Sequence, residues 1–182
     1  MRAPTALLAL LLGAALLAPT AAPAAAAPSC GIRWGSLPEQ VTEPATGVVE
    51  DVRAGRHGCF DRLVVDVDGD VEGYFVAYVD QVRRPGSGDV VPLRGGAALQ
   101  VVPYVPTYDV EDGSATYEPA DPDELVDVAG YRTFRQVALA GSFEGTTDLG
   151  LGVRARLPFR AFVLDGPGDG SRLVVDVAHR WS

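Results

Sequence analysis

The sequence predicts an all-β fold, a sandwich of two packed sheets with little helix. Three observations predict it. Glycine (21 residues) and proline (14) punctuate the chain at short intervals. The apolar runs between them, such as Leu63-Val64-Val65 and Tyr74-Phe75-Val76, are short and rich in β-branched and aromatic residues. No run carries the sustained 3.6-residue apolar stripe of an amphipathic helix.

The elements follow in order. Gly47 to Arg53 and Phe60 to Asp68 are short valine-rich runs, as strands are. Gly73 to Val79 and Ala97 to Val105 are nearly continuous apolar runs. Arg135 to Phe143 and Thr147 to Leu157 flank Glu144-Gly145, a two-residue hairpin signal. Phe159 to Asp165 and Arg172 to His179 flank the turn Gly166 to Gly170. One short helix is expected at Asp121 to Val128, with Asp121 as N-cap before Pro122.

Two features organise the chain further. The hexapeptide RLVVDV occurs twice, at Arg62 to Val67 and at Arg172 to Val177. Alternation puts Leu63, Val65 and Val67 on one face and Arg62, Val64 and Asp66 on the other, and the second copy repeats this. Such an echo suggests two similar sheet halves packed together. Between Pro106 and Asp127 lie eight acids and no basic residue, which reads as a solvated acidic insert over 106–127 or a functional loop.

Residues 1–27 read as a signal peptide. Arg2 precedes an uncharged apolar run, Leu7 to Leu17, too short to span a bilayer, and then an alanine-rich tract suited to cleavage. No later stretch is long enough for a membrane span. The expected mature protein is one secreted domain of about 155 residues. Without Arg2 it carries 14 arginines against 24 acids, a charge of −10. Export makes a Cys30–Cys59 disulfide the default, tethering an extension over 28–46 to the domain at 47–182.

Val49, Val52, Arg53, Gly55 and His57, followed by Arg62, Val64, Val65 and Asp66, resemble the opening of an AMIN domain. So does the closing stretch PFRAFVLDGPGDGSRLVVDV. The segments Cys30 to Leu37 and Ala54 to Leu63 resemble AMIN-like secreted proteins of actinobacteria. The resemblance implies a β-sandwich of the bacterial cell envelope without catalysis, associated with peptidoglycan. The long acidic insert departs from the compact AMIN pattern.

Composition excludes several functions. All fifteen basic residues are arginine and the net charge is −9, which disfavours a nucleic-acid partner. His57 and His179 are the only histidines, and neither sits in H-E-x-x-H, so no metal centre or other cofactor is expected. Asp66, Asp68 and Asp70 fail the EF-hand order, because Gly69 precedes Asp70. There is no G-x-S-x-G elbow, so no catalytic residue is assigned.

A binding surface is the better-supported chemistry, because aromatic faces hold sugars and arginines hold carboxylates. The candidate residues are Tyr74, Tyr78, Tyr104, Arg154, Arg156 and Arg160. The expected partner is a cell-wall glycan or, alternatively, an envelope protein docking at the acidic loop or a sheet edge.

Overall fold

A computed structural model of the chain describes residues 30–181. The expected leader, residues 1–27, lies outside the described residues. Eleven strands and no helix are present among the described residues: β1 (Glu39–Val41), β2 (Val48–Arg56), β3 (Phe60–Asp68), β4 (Tyr74–Val79), β5 (Val82–Arg83), β6 (Val90–Val91), β7 (Ala97–Pro103), β8 (Phe134–Phe143), β9 (Thr146–Val153), β10 (Phe159–Asp165) and β11 (Ser171–Ala178). The first sheet runs β1-β4-β7-β9-β8 and the second β10-β11-β3-β2, with β5 and β6 forming a separate small hairpin. All named pairings are antiparallel. The all-β sandwich is as the sequence predicts.

The core lies between the two sheets. Leu63, Val65, Leu173 and Val175 face inward from the second sheet, and Val76, Leu99, Val101, Leu149 and Leu151 from the first, all fully buried. Each such side chain contributes roughly 1.5–3 kcal/mol by leaving water, before the entropy of ordering is counted. The hairpin turn between β8 and β9 is at Glu144-Gly145, with φ of 48° and 80°, the positive-φ pair of a type I′ turn.

The outer face of the first sheet is covered. The segment carrying β5 and β6 folds over it, and Val82, Val91, Ala138 and Ala140 form a second small core there. Glycine makes this approach possible. A Cβ at Gly152 would lie 2.1 Å from the carbonyl oxygen of Arg94. We expect Gly152→Ala to destabilise the protein by about 2–3 kcal/mol through this backbone clash; equilibrium denaturation checks it, and a loss under about 0.5 kcal/mol would show the covering segment to be loosely seated.

Four expectations need correction. The two RLVVDV copies do not sit in opposing sheets. They are β3 and β11, antiparallel neighbours in one sheet, centred on the Val64–Val174 pair. Asp121 to Val128 is not helical. The Asp121 carboxylate accepts the amide of Asp123 to close a turn, while the amide of Leu125 bonds to Val137 and Pro122 accepts the amide of Leu139. Those backbone groups serve the free edge of β8 and are not available to a helix. The expected strand Thr147 to Leu157 stops at Val153. Arg154 and Arg156 therefore follow it in a bend, with no common strand face.

The fourth correction concerns the acidic insert, which is anchored at both ends. Val49 donates its amide to Pro106, and Thr116 Oγ1 donates to the Val49 carbonyl, so the insert covers the edge of β2. Tyr117, Leu125 and Val126 pack against the main core. The insert thus closes one side of the sandwich, from the β2 edge to the β8 edge. Burial, aided by Asp51, pushes the Tyr117 hydroxyl up to about 12. A raised tyrosine contributes stability that is complete below pH 10 and is lost as pH rises toward 12. Burial raises Tyr74, Tyr78 and Tyr131 in the same direction. The chain holds no lysine to confuse this limb. In Tyr117→Phe the pH of half-unfolding moves upward relative to the loss at neutral pH, read by circular dichroism across pH 9–12; an unshifted limb would show that Tyr117 ionises as freely in the folded chain.

Candidate functional site

Strand register builds a polar lattice on the outer face of the second sheet. Arg160, Asp176 and Arg62 form one cross-strand row, on β10, β11 and β3. Phe162, Val174, Val64 and Arg53 form the next, and Leu164, Arg172 and Asp66 the third. The hexapeptide echo explains the pattern: antiparallel pairing sets the Arg of each copy opposite the Asp of the other.

The two ends of this symmetric arrangement differ. In the first row, Arg62 Nε and Nη2 donate to both oxygens of Asp176 at 2.6 and 2.9 Å. Arg160 Nε donates to the same carboxylate at 2.9 Å. Asp176 is fully buried beneath these two guanidinium groups. The hydrogen bond to Asp176 raises the Arg62 guanidinium further above its ordinary range. Aromatic rings complete the cluster. The Arg160 guanidinium lies 4.4 Å from the Trp34 ring centre and 4.9 Å from Phe162, and that of Arg62 lies 5.3 Å from Phe60. Each such contact stabilises by roughly 0.5–2 kcal/mol. In the third row, Asp66 faces Arg172 in register but bonds to Arg53, through Nε and Nη2. Arg172 donates Nη2 to the Asp165 carbonyl, and its Nε is buried with no partner among the described residues.

A groove of about 260 Å³ opens beside these rows. Arg53, Arg62, Arg172 and His57 line it, over a floor of Val64 and Val174, and no carboxylate lines it. At the adjoining end of the sandwich the character reverses: Glu50, Asp51, Asp66, Asp68 and Asp169 surround a second pocket of about 470 Å³. No group of three or more residues suited to a metal ion forms among the described residues.

The six residues singled out from sequence are divided between several places. Tyr74 is buried between the sheets and its hydroxyl donates to the Ala161 carbonyl. The Tyr78 hydroxyl donates to the Leu157 carbonyl and accepts the Leu157 amide. Tyr104 accepts a hydrogen bond from Gln40. Arg154 reaches the His179 carbonyl at 2.5 Å. Arg156 bonds to Ser36 and lies over the Tyr78 ring, 5.1 Å from its centre. Of the six, Arg160 alone belongs to the outer lattice. His57 stacks on Phe60 at 4.4 Å and is exposed. His179, just after the last strand, is largely buried, with Nε2 3.1 Å from Asp61.

Cys30 and Cys59 are joined, and the extension they tether follows the β10 edge of the second sheet and joins the first sheet as β1. Gly35 accepts the amide of Phe159, and the Glu39 carboxylate accepts the amide of Ala161. Burial raises the Glu39 carboxyl, partly offset by that bond and by Arg160. Trp34, Phe60 and Phe162 border the lattice, so this extension forms part of the site.

A two-sheet antiparallel sandwich with one covered face and one polar, partly open face defines a β-sandwich module. The family model for the AMIN-like domain matches residues 47–179, and the chain belongs to that family. Membership associates it with the cell envelope and with modules that are generally non-catalytic. No curated protein matches the chain.

Proposed function

We propose that the protein is an exported, non-catalytic module of the cell envelope that recognises peptidoglycan or a related wall glycan. One observation carries this reading: the outer face of the second sheet offers arginines and aromatic rings over an apolar floor, whereas the outer face of the first is covered. Arginine forks suit carboxylates and ring faces suit sugars. The family's association with the envelope supports it, and a disulfide fits an extracytoplasmic protein. In this reading Arg160 belongs to the binding face. Arg154 and Arg156 stand beside the extension, Tyr74 and Tyr78 act behind it by fixing backbone, and Tyr104 by holding the Gln40 side chain. The mature protein is expected to co-sediment with insoluble cell wall, less so as salt rises. Failure to pellet across pH and salt would overturn the reading.

One observation favours a second reading, docking to an envelope enzyme or secretion component. Val110 is 73 % exposed at the tip of the acidic insert, between Asp109 and Glu111. That reading expects Val110→Asp to lose a defined envelope partner while retaining wall binding; a variant that keeps its partner argues against it.

A further inference from the structure

We infer that the groove beside Arg172 is a carboxylate-binding subsite, seating an acidic group carried on a small organic scaffold. The inference deepens the wall-glycan reading and assigns it a place and a chemistry.

The donors are arranged for an anion. Arg53 and Arg62 use Nε and Nη2 on Asp66 and Asp176, which leaves Nη1 of each without a hydrogen-bond partner among the described residues. Arg172 uses Nη2 on a backbone carbonyl and makes no ion pair among the described residues. Three arginines, each with an Nη1 that makes no hydrogen bond among the described residues, and His57 thus line one groove whose own walls hold no acid. The chain around it is strongly acidic, at net −9, so this concentration of positive charge is not a reflection of composition. The echo sharpens the point. Arg62 and Arg172 are equivalent by the local symmetry, yet Arg62 has its aspartate and Arg172 has lost its own to Arg53. Of the four arginines of this lattice, Arg172 alone makes no ion pair among the described residues.

The floor distinguishes a carboxylate on an organic scaffold from a bare anion. Val64 and Val174 are almost fully buried there, and Leu164 stands 38 % exposed at the wall. Apolar atoms of a ligand would meet these side chains while its carboxylate meets the guanidinium groups. A lactyl or amino-acid carboxylate satisfies both demands.

The test uses the mature, disulfide-bonded protein and two sugars that differ in a lactyl carboxylate, N-acetylmuramic acid and N-acetylglucosamine, titrated by NMR. N-acetylmuramic acid is expected to bind at least tenfold more tightly and to shift the resonances of His57, Val64 and Val174. Arg172→Gln should weaken it about tenfold or more. Arg53 is exposed, so Arg53→Gln is the variant that leaves folding intact; it releases Asp66 to quench Arg172 and should weaken binding as well. Asp66→Asn removes the competing carboxylate and should strengthen binding severalfold, a gain that a merely structural role for these residues would not produce. Equal binding of the two sugars, or unchanged affinity in Arg172→Gln and Arg53→Gln, overturns the subsite. Wall co-sedimentation separates the two readings: pelleting that survives with no response to N-acetylmuramic acid removes the subsite and keeps the wall reading. Carboxylate binding at the groove without pelleting keeps the subsite and removes the wall.

Discussion

Asp61→Ala lowers the stability of the protein by about 3–4 kcal/mol. Asp61 is 1 % exposed on β3 and accepts three hydrogen bonds. The amide of Thr133 donates at 2.6 Å, that of Phe134 at 3.2 Å, and His179 Nε2 lies at 3.1 Å. These bonds tie the start of β8, in the first sheet, to β3 and the end of β11, in the second. Alanine would strand two buried amides and the histidine together, and each orphaned group costs roughly 1–3 kcal/mol. Asp61→Asn keeps a carbonyl oxygen for Thr133 and should lose only about half as much. With Nε2–H facing Asp61, the buried Nδ1 of His179 is left as a bare acceptor, which is cheaper to bury than an orphaned donor. Urea unfolding at unchanged m-value checks the series, with a Tm decrease of roughly 6–16 °C for alanine. A loss below about 1 kcal/mol, or equal losses in the two variants, would mean that water replaces the carboxylate and the clamp is not dry.

Strand periodicity made most of the fold legible. Phe60–Asp68 and Phe159–Asp165 are the strands the sequence predicts, and the remaining long ones differ mainly at their ends. β1, β5 and β6 were not legible. At two or three residues they carry no period of their own; β1 exists because the first sheet offers β4 as a partner, and β5 and β6 pair only with each other where their segment folds over that sheet. Alternation put Tyr74 and Tyr78 on one face but could not tell which. The opposite face carries Phe75, Ala77 and Val79, also apolar, because the β5–β6 segment covers it. The insert shows the same limit. Its acids mark the exposed positions, while Thr116, Tyr117 and Leu125, set among those acids, are what anchor it.

The candidate site was half-written in the repeated hexapeptide, which displayed Arg62 and Asp66 and their counterparts Arg172 and Asp176 on one face. What remained hidden was adjacency. Arg62 and Asp176 are 114 positions apart, and only the pairing of β3 with β11 turns two amphipathic strands into a charge lattice. Which aspartate answers which arginine depends further on β2, since Arg53 takes Asp66 away from Arg172. No local pattern encodes that competition.

Replacing both cysteines, Cys30→Ala with Cys59→Ala, is expected to cost about 3–4 kcal/mol, the loop-closure contribution for a separation of 29 positions. The loss should be visible at the site as well as in the melting curve. The bridge joins the chain before Trp34 to the residue preceding β3, and Trp34 lies over Arg160. Between them the extension is held by the Gly35 carbonyl on Phe159, by Ser36 on Arg156 and by the β1–β4 pairing. Most of these contacts are exposed polar bonds, individually worth about 1 kcal/mol or less, and they must offset the entropy of ordering the whole segment. Without the bridge the segment should therefore fray from its N-terminus, taking Trp34 off Arg160 and admitting water to Asp176. In a Trp181→Phe background, Trp34 emission then moves to longer wavelength on reduction, below the global transition. Unchanged emission together with full stability would show that β1 and the polar contacts suffice alone. Fraying would leave Asp176 solvated and Arg160 free to swing outward, so the face offered to a wall ligand would differ between oxidised and reduced protein. The disulfide is thus placed to restrict the finished form of this face to an oxidising compartment, through one ring and one arginine.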